Sequence, residues 1–210
     1  GRSNRPAGKP STLANPSLVR LKREWKDAVK DGIAYDWGKN RPTKKNTSRK
    51  SHIWIGPLGK NVFRWHFTIT GPPGSPFEHG VYHGVVMLPK DYPASPPRVQ
   101  LLTPSGRFVT GKDICLSASS FHPESWSPSG WTVRTLVESL RLHFCSQDIQ
   151  VGGINGSYDA KVRLAKASRS WEAVLTNGMS INHYKMVAKG YISSSDDGEE
   201  AESLDDVPSE

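Results

Sequence analysis

Cysteine is nearly absent from this sequence: two in 210 residues, Cys115 and Cys145. Two cannot form a disulfide scaffold, so stability must come from a packed core, and the usage suits a reducing compartment such as the cytosol. Long apolar runs are missing too. None approaches about 18 residues, the length a membrane-spanning helix needs, and no apolar signal core follows the N-terminus. The chain opens on Gly1 rather than Met, as a piece of a longer protein does, so an anchor outside it is compatible with the sequence. Without an export signal, Asn46-Thr47-Ser48 and Asn155-Gly156-Ser157 read as chance matches to the glycosylation pattern. The seven histidines form no metal set with acids or cysteines, and His79 and His83, four apart, fall on a turn and a strand where that spacing does not converge.

Each end lacks one sign of charge. Residues 1–50 hold 14 Lys/Arg against 4 Asp/Glu, whereas residues 191–210 hold 8 acids and no base. The basic arm reads as a solvated segment; it has no aromatics for stacking on bases, so no nucleic-acid partner is expected. A nucleic-acid role would predict a steep loss of binding with salt. With 35% apolar residues, the length supports one domain with appendages.

Residues 1–14 are rich in Gly, Pro, Ser and Arg and read as a flexible arm. Asn15 and Pro16 then open a helix in which Leu18, Leu21, Trp25, Ala28 and Val29 share a face until Gly32. Residues 36–51 are Lys-rich without periodicity and are expected to be a mobile insertion. Strands follow at Ile53 and Ile55, at Phe63, Trp65, Phe67 and Ile69 alternating with Arg64, His66 and Thr68, at Val81–Leu88, and at Val99–Leu102. The alternation predicts one buried face, and the short connections predict an antiparallel meander. A long irregular stretch containing Cys115 runs to about Trp131. Two helices are expected after it. One carries Val133, Leu136, Val137, Leu140 and Phe144; the other, capped by Ser157, carries Leu164, Ala167, Trp171, Val174 and Leu175. The expected divisions are the arm 1–14, an α+β domain 15–175, an uncertain extension 176–192 and a disordered acidic tail 193–210.

Gly106 to Lys112 reads G-x-x-x-x-G-K, yet Asp113 follows instead of Ser or Thr and no strand-to-helix context surrounds it, so nucleotide binding is not expected. A lone cysteine flanked by Ile114 and Leu116 is usually a small buried hydrophobe. Here its context changes that reading. The run TGPPGSPFEHGVYHGVVMLPKDYPASPP at 70–97, ICLS at 114–117 and HPESWSPS at 122–129 resemble the ubiquitin-conjugating enzyme family in content and order. The strand Phe63-Arg64-Trp65-His66 fits as well, and the resemblance covers about residues 15–175.

That resemblance implies that Cys115 takes ubiquitin as a thioester from an activating enzyme, which uses the ATP, so no cofactor is expected on this chain. It implies transfer to a substrate protein with a ubiquitin ligase. Cys145, beside Phe144, is expected to pack in the core. His122 is read as a structural element of its loop more than as the base of a protease, since thioester exchange needs no obligatory base; Ser105, His122 and Trp126 are candidate supports of the site. Most of the family has Asn of a His-Pro-Asn tripeptide eight residues before the cysteine; here Arg107 stands there. The segment TPSGRFVTGKDICLS with HPESW resembles instead the J-type branch associated with degradation at the endoplasmic reticulum, which implies its cytosolic face and a membrane anchor absent from this chain. Ser105 replaces that branch's usual Asn, and Gly130 is an extra residue in its loop. By resemblance, partners meet the first helix, the loop with Tyr92, Pro93 and Ala94, and the loop with Ser127 and Pro128. The competing reading is a non-catalytic binding module of the same fold; a second is a ubiquitin-like modifier as cargo.

Overall fold

The computed structural model describes residues 15–43, 51–116, 119–174, 178, 180–189 and 191. The arm 1–14 and the tail 193–210 lie outside the described residues, as do 44–50 and Ser117 of the ICLS motif.

Helix α1 (Pro16–Lys30) begins where expected: the Asn15 side chain accepts the Ser17 amide at 2.9 Å, and Pro16 needs no N–H at the first helical position. Gly32, at φ 73°, turns the chain away after the last turn. Its buried face is rotated from the expected one. Leu21 and Ala28 are buried and Leu18 is exposed, because Ser17 and Glu24 go inward to bond with neighbouring loops. Ser17 donates to the Lys90 carbonyl, and Glu24 accepts from the Val133 amide and the Tyr92 hydroxyl.

After the short pair β1 (Tyr35–Asp36) and β2 (Arg41–Pro42), strands β3 (Ile53–Leu58), β4 (Asn61–Thr70), β5 (Val81–Met87) and β6 (Arg98–Leu101) form the expected meander, antiparallel and in sequential order. Register pairs Ile55 with Phe67, Trp65 with Val86 and Gly84 with Leu101. A Cβ at Gly84 would come within 2.2 Å of the Phe67 ring, so this crossing requires glycine. A long loop with a 3₁₀ turn at Pro123–Ser125 leads to α2 (Val133–His143), capped reciprocally by Thr132 and Thr135. Val133, Leu136, Val137, Leu140 and Phe144 are all buried against the sheet, as the periodicity predicts.

Residues 36–43 correct one expectation. They include Trp37, only 2% exposed, whose Nε1 donates to the Gly56 carbonyl and whose ring lies 4.4 Å from Tyr35. Two aromatics at alternate positions gave no helical or extended run long enough to register as a period. The last helix is also shorter than expected. α3 (Tyr158–Ser168) stops at Ser168, whose hydroxyl turns back to accept from the Val81 amide, and Trp171 and Val174 are not on it. The hairpin β7 (Glu172–Val174) and β8 (Ser180–Asn182), then α4 (His183–Ala188), follow instead. Hence the boundary at 175 divides a packed unit.

That unit covers the second face of the sheet. Ile181 and Met186 join Tyr35, Trp37, Trp54, Leu58 and Val81 in a core separate from the one under α2. The alternating polar residues His66 and Thr68, expected to face solvent, are therefore fully buried.

Candidate active site

Cys115 sits on the irregular segment after β6, fixed on both sides. Ile114 and Leu116 are buried in the main core, the Ile114 amide donates to Val99, and the Cys115 amide donates to the Val151 carbonyl at 3.0 Å. The residue is 6% exposed, and burial raises its thiol above the usual cysteine value, so it is held as S–H near neutral pH.

A turn then returns the chain to the thiol. Ser119 accepts the Leu116 amide and donates to the Leu116 carbonyl, and the His122 amide donates to Ser119. Pro123 opens the 3₁₀ turn immediately after. The result places His122 Nε2 at 3.2 Å from Cys115 Sγ, while His122 Nδ1 lies 3.0 Å from Glu124 Oε1. Glu124 is held below the usual carboxylate range by its own backbone amide and by the His122 ring. In the tautomer that carries its proton on Nδ1, toward the Glu124 carboxylate, Nε2 presents a lone pair to the thiol. The geometry thus brings the His122 ring beside the Cys115 thiol as well as into its own loop. Glu124 was not singled out from the sequence; the His-x-Glu spacing was the available signal.

Ser105 is buried, and its oxygen accepts the amides of Arg107 and Phe108, which builds the turn between Pro104 and Phe108. It makes no hydrogen bond to Cys115. Arg107 is engaged elsewhere: its Nη2 donates to the Asp148 carbonyl at 2.7 Å, and its own carbonyl accepts from Ile154. The loop 148–154 is thereby tied to the segment 107–115. Gly152 is required at this seam, at φ 81° and with the Asp113 carbonyl 2.3 Å from where a Cβ would stand.

Trp126 is buried and donates through Nε1 to the Pro93 carbonyl at 2.7 Å, joining the active-site loop to the loop at 92–97. Tyr92, expected to meet partners, is fully buried, with its hydroxyl on Glu24; an aromatic in a Pro-rich loop looked exposed because its tertiary acceptor was invisible. Ala94, Ser127 and Pro128 are exposed and Pro93 is half-buried. Arg20 of α1 donates to the carbonyls of Pro128 and Trp131, so α1 and the loops at 92–97 and 127–131 form one continuous surface. Cys145 is exposed, not packed. α2 ends at His143, and one residue beyond buried Phe144 the turn faces solvent.

The model of the family described as ubiquitin-conjugating enzyme matches residues 20–152, spanning Cys115 and His122. Among curated proteins, "Ubiquitin-conjugating enzyme E2 6" of Debaryomyces hansenii is 41% identical over 120 residues, covering 57% of this chain and 49% of that one. "Ubiquitin-conjugating enzyme E2 J1" of Homo sapiens is 44% identical over 121 residues, covering 57% and 38%. The chain therefore spans about half the length, or less, of these relatives. Among solved structures, the E2 domain of a Toxoplasma gondii ubiquitin conjugating enzyme superposes with a TM-score of 0.51 at 20% identity, covering 71% of this chain and 97% of that one, which shows the shared fold. With the four-stranded meander, the helix order and the anchored cysteine loop all in agreement, the chain belongs to the ubiquitin-conjugating enzyme family.

Proposed function

We propose that this chain accepts ubiquitin as a thioester on Cys115 from an activating enzyme and, with a ligase, transfers it to a substrate protein. The observation that carries the reading is the line Cys115 Sγ, His122 Nε2, His122 Nδ1, Glu124 Oε1, at 3.2 and 3.0 Å. A thiol made less acidic by burial needs a proton acceptor to attack. His122 supplies one: the Cys115 sulfur attacks the carbonyl carbon of the incoming thioester, its proton passes to Nε2, and the ring returns that proton to the activating enzyme's sulfur, which leaves as a thiol. In the second step a substrate nucleophile attacks the Cys115 thioester, loses its proton to the same ring, and Cys115 leaves.

The same base supports attack by hydroxyl groups as well as by lysine. A Ser or Thr hydroxyl is too weak a nucleophile unless its proton is removed as it attacks. Ser105 is ill placed to stand in for the missing asparagine donor, since its oxygen is engaged within its own turn. Resemblance to the J-type branch supports a place in degradation at the endoplasmic reticulum, with the membrane reached through a segment outside this chain; among the described residues no helix is long and apolar enough to cross a membrane.

Charging with activating enzyme, ATP and ubiquitin tests the reading. Cys115→Ala abolishes the thiol-sensitive adduct, Cys115→Ser gives a slower, thiol-resistant oxyester, and Cys145→Ala charges normally. A thiol-sensitive band persisting in Cys115→Ala refutes the assignment, and failure of the unaltered chain to charge favours the binding-module reading. On the loaded protein, His122→Asn slows discharge by serine and threonine about 100-fold, the low end of general-base effects, and discharge by free lysine less. Equal slowing of all three would refute the hydroxyl reading.

A further inference from the structure

Among the described residues, Arg107 is a deeply buried cation with no ion pair. It is 3% exposed and forms no ion pair with a described residue; its guanidinium rests on the Phe108 ring at 4.9 Å, Nη2 donates to a backbone carbonyl, and Nε has no partner among the described residues. Burial pushes its pKa down, partly offset by the charge of Asp148, whose carboxylate is not within ion-pair distance. A cation taken out of water is stable only when paired, and a single neutral carbonyl is a poor substitute for an anion.

Arg107 lines a cleft of about 550 Å³ between the turn at Ser75 to Phe77, the end of α2, the loop 146–155 and α3. The other cation in the cleft wall is Lys161, and no carboxylate lines it. The volume falls in the range of small-molecule sites. Exposed Cys145 stands on the wall, seven positions from the loop residue Gly152 whose neighbour Val151 accepts the Cys115 amide.

We propose that this cleft binds a small oxyanion, a phosphate ester or a carboxylate, paired by Arg107 and Lys161. The ligand completes the charge balance that the fold leaves open at Arg107. It also acts on the reaction centre, because the Arg107 guanidinium holds the Asp148 carbonyl of the loop whose Val151 carbonyl anchors Cys115. The catalytic reading above is needed only for that second consequence; binding itself is independent of it.

The test titrates the full chain with glycerol 2-phosphate, inorganic phosphate and succinate at constant ionic strength set with chloride, which screens non-specific attraction equally. Binding is read by calorimetry and by the rate of Cys145 alkylation with iodoacetamide, resolved from Cys115 by peptide mass. Saturable binding is expected, with alkylation of Cys145 slowed about threefold at saturation and affinity reduced about tenfold in Lys161→Glu, as for loss of a close charge partner. Lys185→Glu makes the same charge change outside the cleft and leaves affinity unchanged. The tighter of the phosphate and succinate arms names the ligand class. No saturation up to about 20 mM, far weaker than the millimolar binding of small ligands, overturns the proposal and leaves Asp148 as the counterion in solution. Equal loss in Lys161→Glu and Lys185→Glu also overturns it, since the anion then responds only to net charge. If anions bind yet charging of Cys115 is unaffected, the site stands and its coupling to the thiol falls.

Discussion

The two faces of the sheet are both buried, but by different chemistry. Under α1 and α2 the contacts are almost wholly apolar: Ile53, Ile55, Phe67, Ile69 and Val86 meet Leu136, Val137 and Leu140. The opposite face places three histidines in the interior, among aromatics. His66 Nδ1 lies 2.8 Å from His83 Nε2, His83 Nδ1 2.9 Å from Thr68, and His183 Nδ1 2.8 Å from the Ser168 carbonyl; Trp171 stacks on His83 at 6.0 Å. The first face depends on volume and shape. The second depends on protonation state as well, because a buried imidazolium there would be unpaired.

The largest effect should come from the first face. Phe67→Ala removes a fully buried ring between strand and helix and is expected to cost about 4 kcal/mol, measured by urea unfolding. Next, on the second face, Trp37→Ala empties a buried site and removes the indole hydrogen bond to the Gly56 carbonyl, at about 3 kcal/mol. Deleting 36–51 as a block, which the Lys-rich composition suggested was harmless, should cost at least as much. A deletion that leaves the unfolding midpoint unchanged would show that the second core adds nothing to stability.

Acid separates the faces without mutation. His66 and His183 have folded-state values lowered to about 4 and His83 lies well below its ordinary value, all mainly by burial. Between the unfolded value of about 6.5 and these, the unfolded chain binds more protons, so stability rises with pH and is fully present above about 6.5. It is lost as pH falls from there, by up to about 1.4 kcal/mol per histidine per pH unit, until the folded state also protonates. Thermal unfolding followed from pH 7.5 to 5 should show this decline. His183→Asn, whose side-chain amide can donate to Ser168 in place of the ring, should reduce the slope by about one histidine's share. An unchanged slope would locate the acid sensitivity elsewhere. The smallest effect is expected at the rim of the second face: Val174→Thr, 76% exposed on β7, should change stability by less than about 0.5 kcal/mol.

The difference between the faces also explains what could be read beforehand. Leu136, Val137 and Leu140 announce a buried helical face by spacing alone, because one apolar partner is as good as another. The strand containing Phe67 did the same for its inner side. Its other side, Arg64, His66 and Thr68, carries the pattern of a solvated face and was read so. Trp37, some 30 positions before them, and residues 171–174 and 180–189, some 100 positions after, cover His66 and Thr68, and no local pattern encodes that.

The candidate site divides in the same way. ICLS and HPESW, taken together, point to Cys115 by resemblance and bring His122 into consideration from sequence, and the family's fold follows from the order of helix, strands and loop. That His122 stands 3.2 Å from the thiol with Glu124 behind it depends on the Ser119 turn, and that Tyr92 is hidden while Cys145 is exposed depends on where Glu24 and the end of α2 lie. Periodicity and motif spacing report on the covalent neighbourhood of a residue. Burial, hydrogen-bond partners and proton affinity are set by groups distant in the chain, so they were decided only when the tertiary structure brought those groups together.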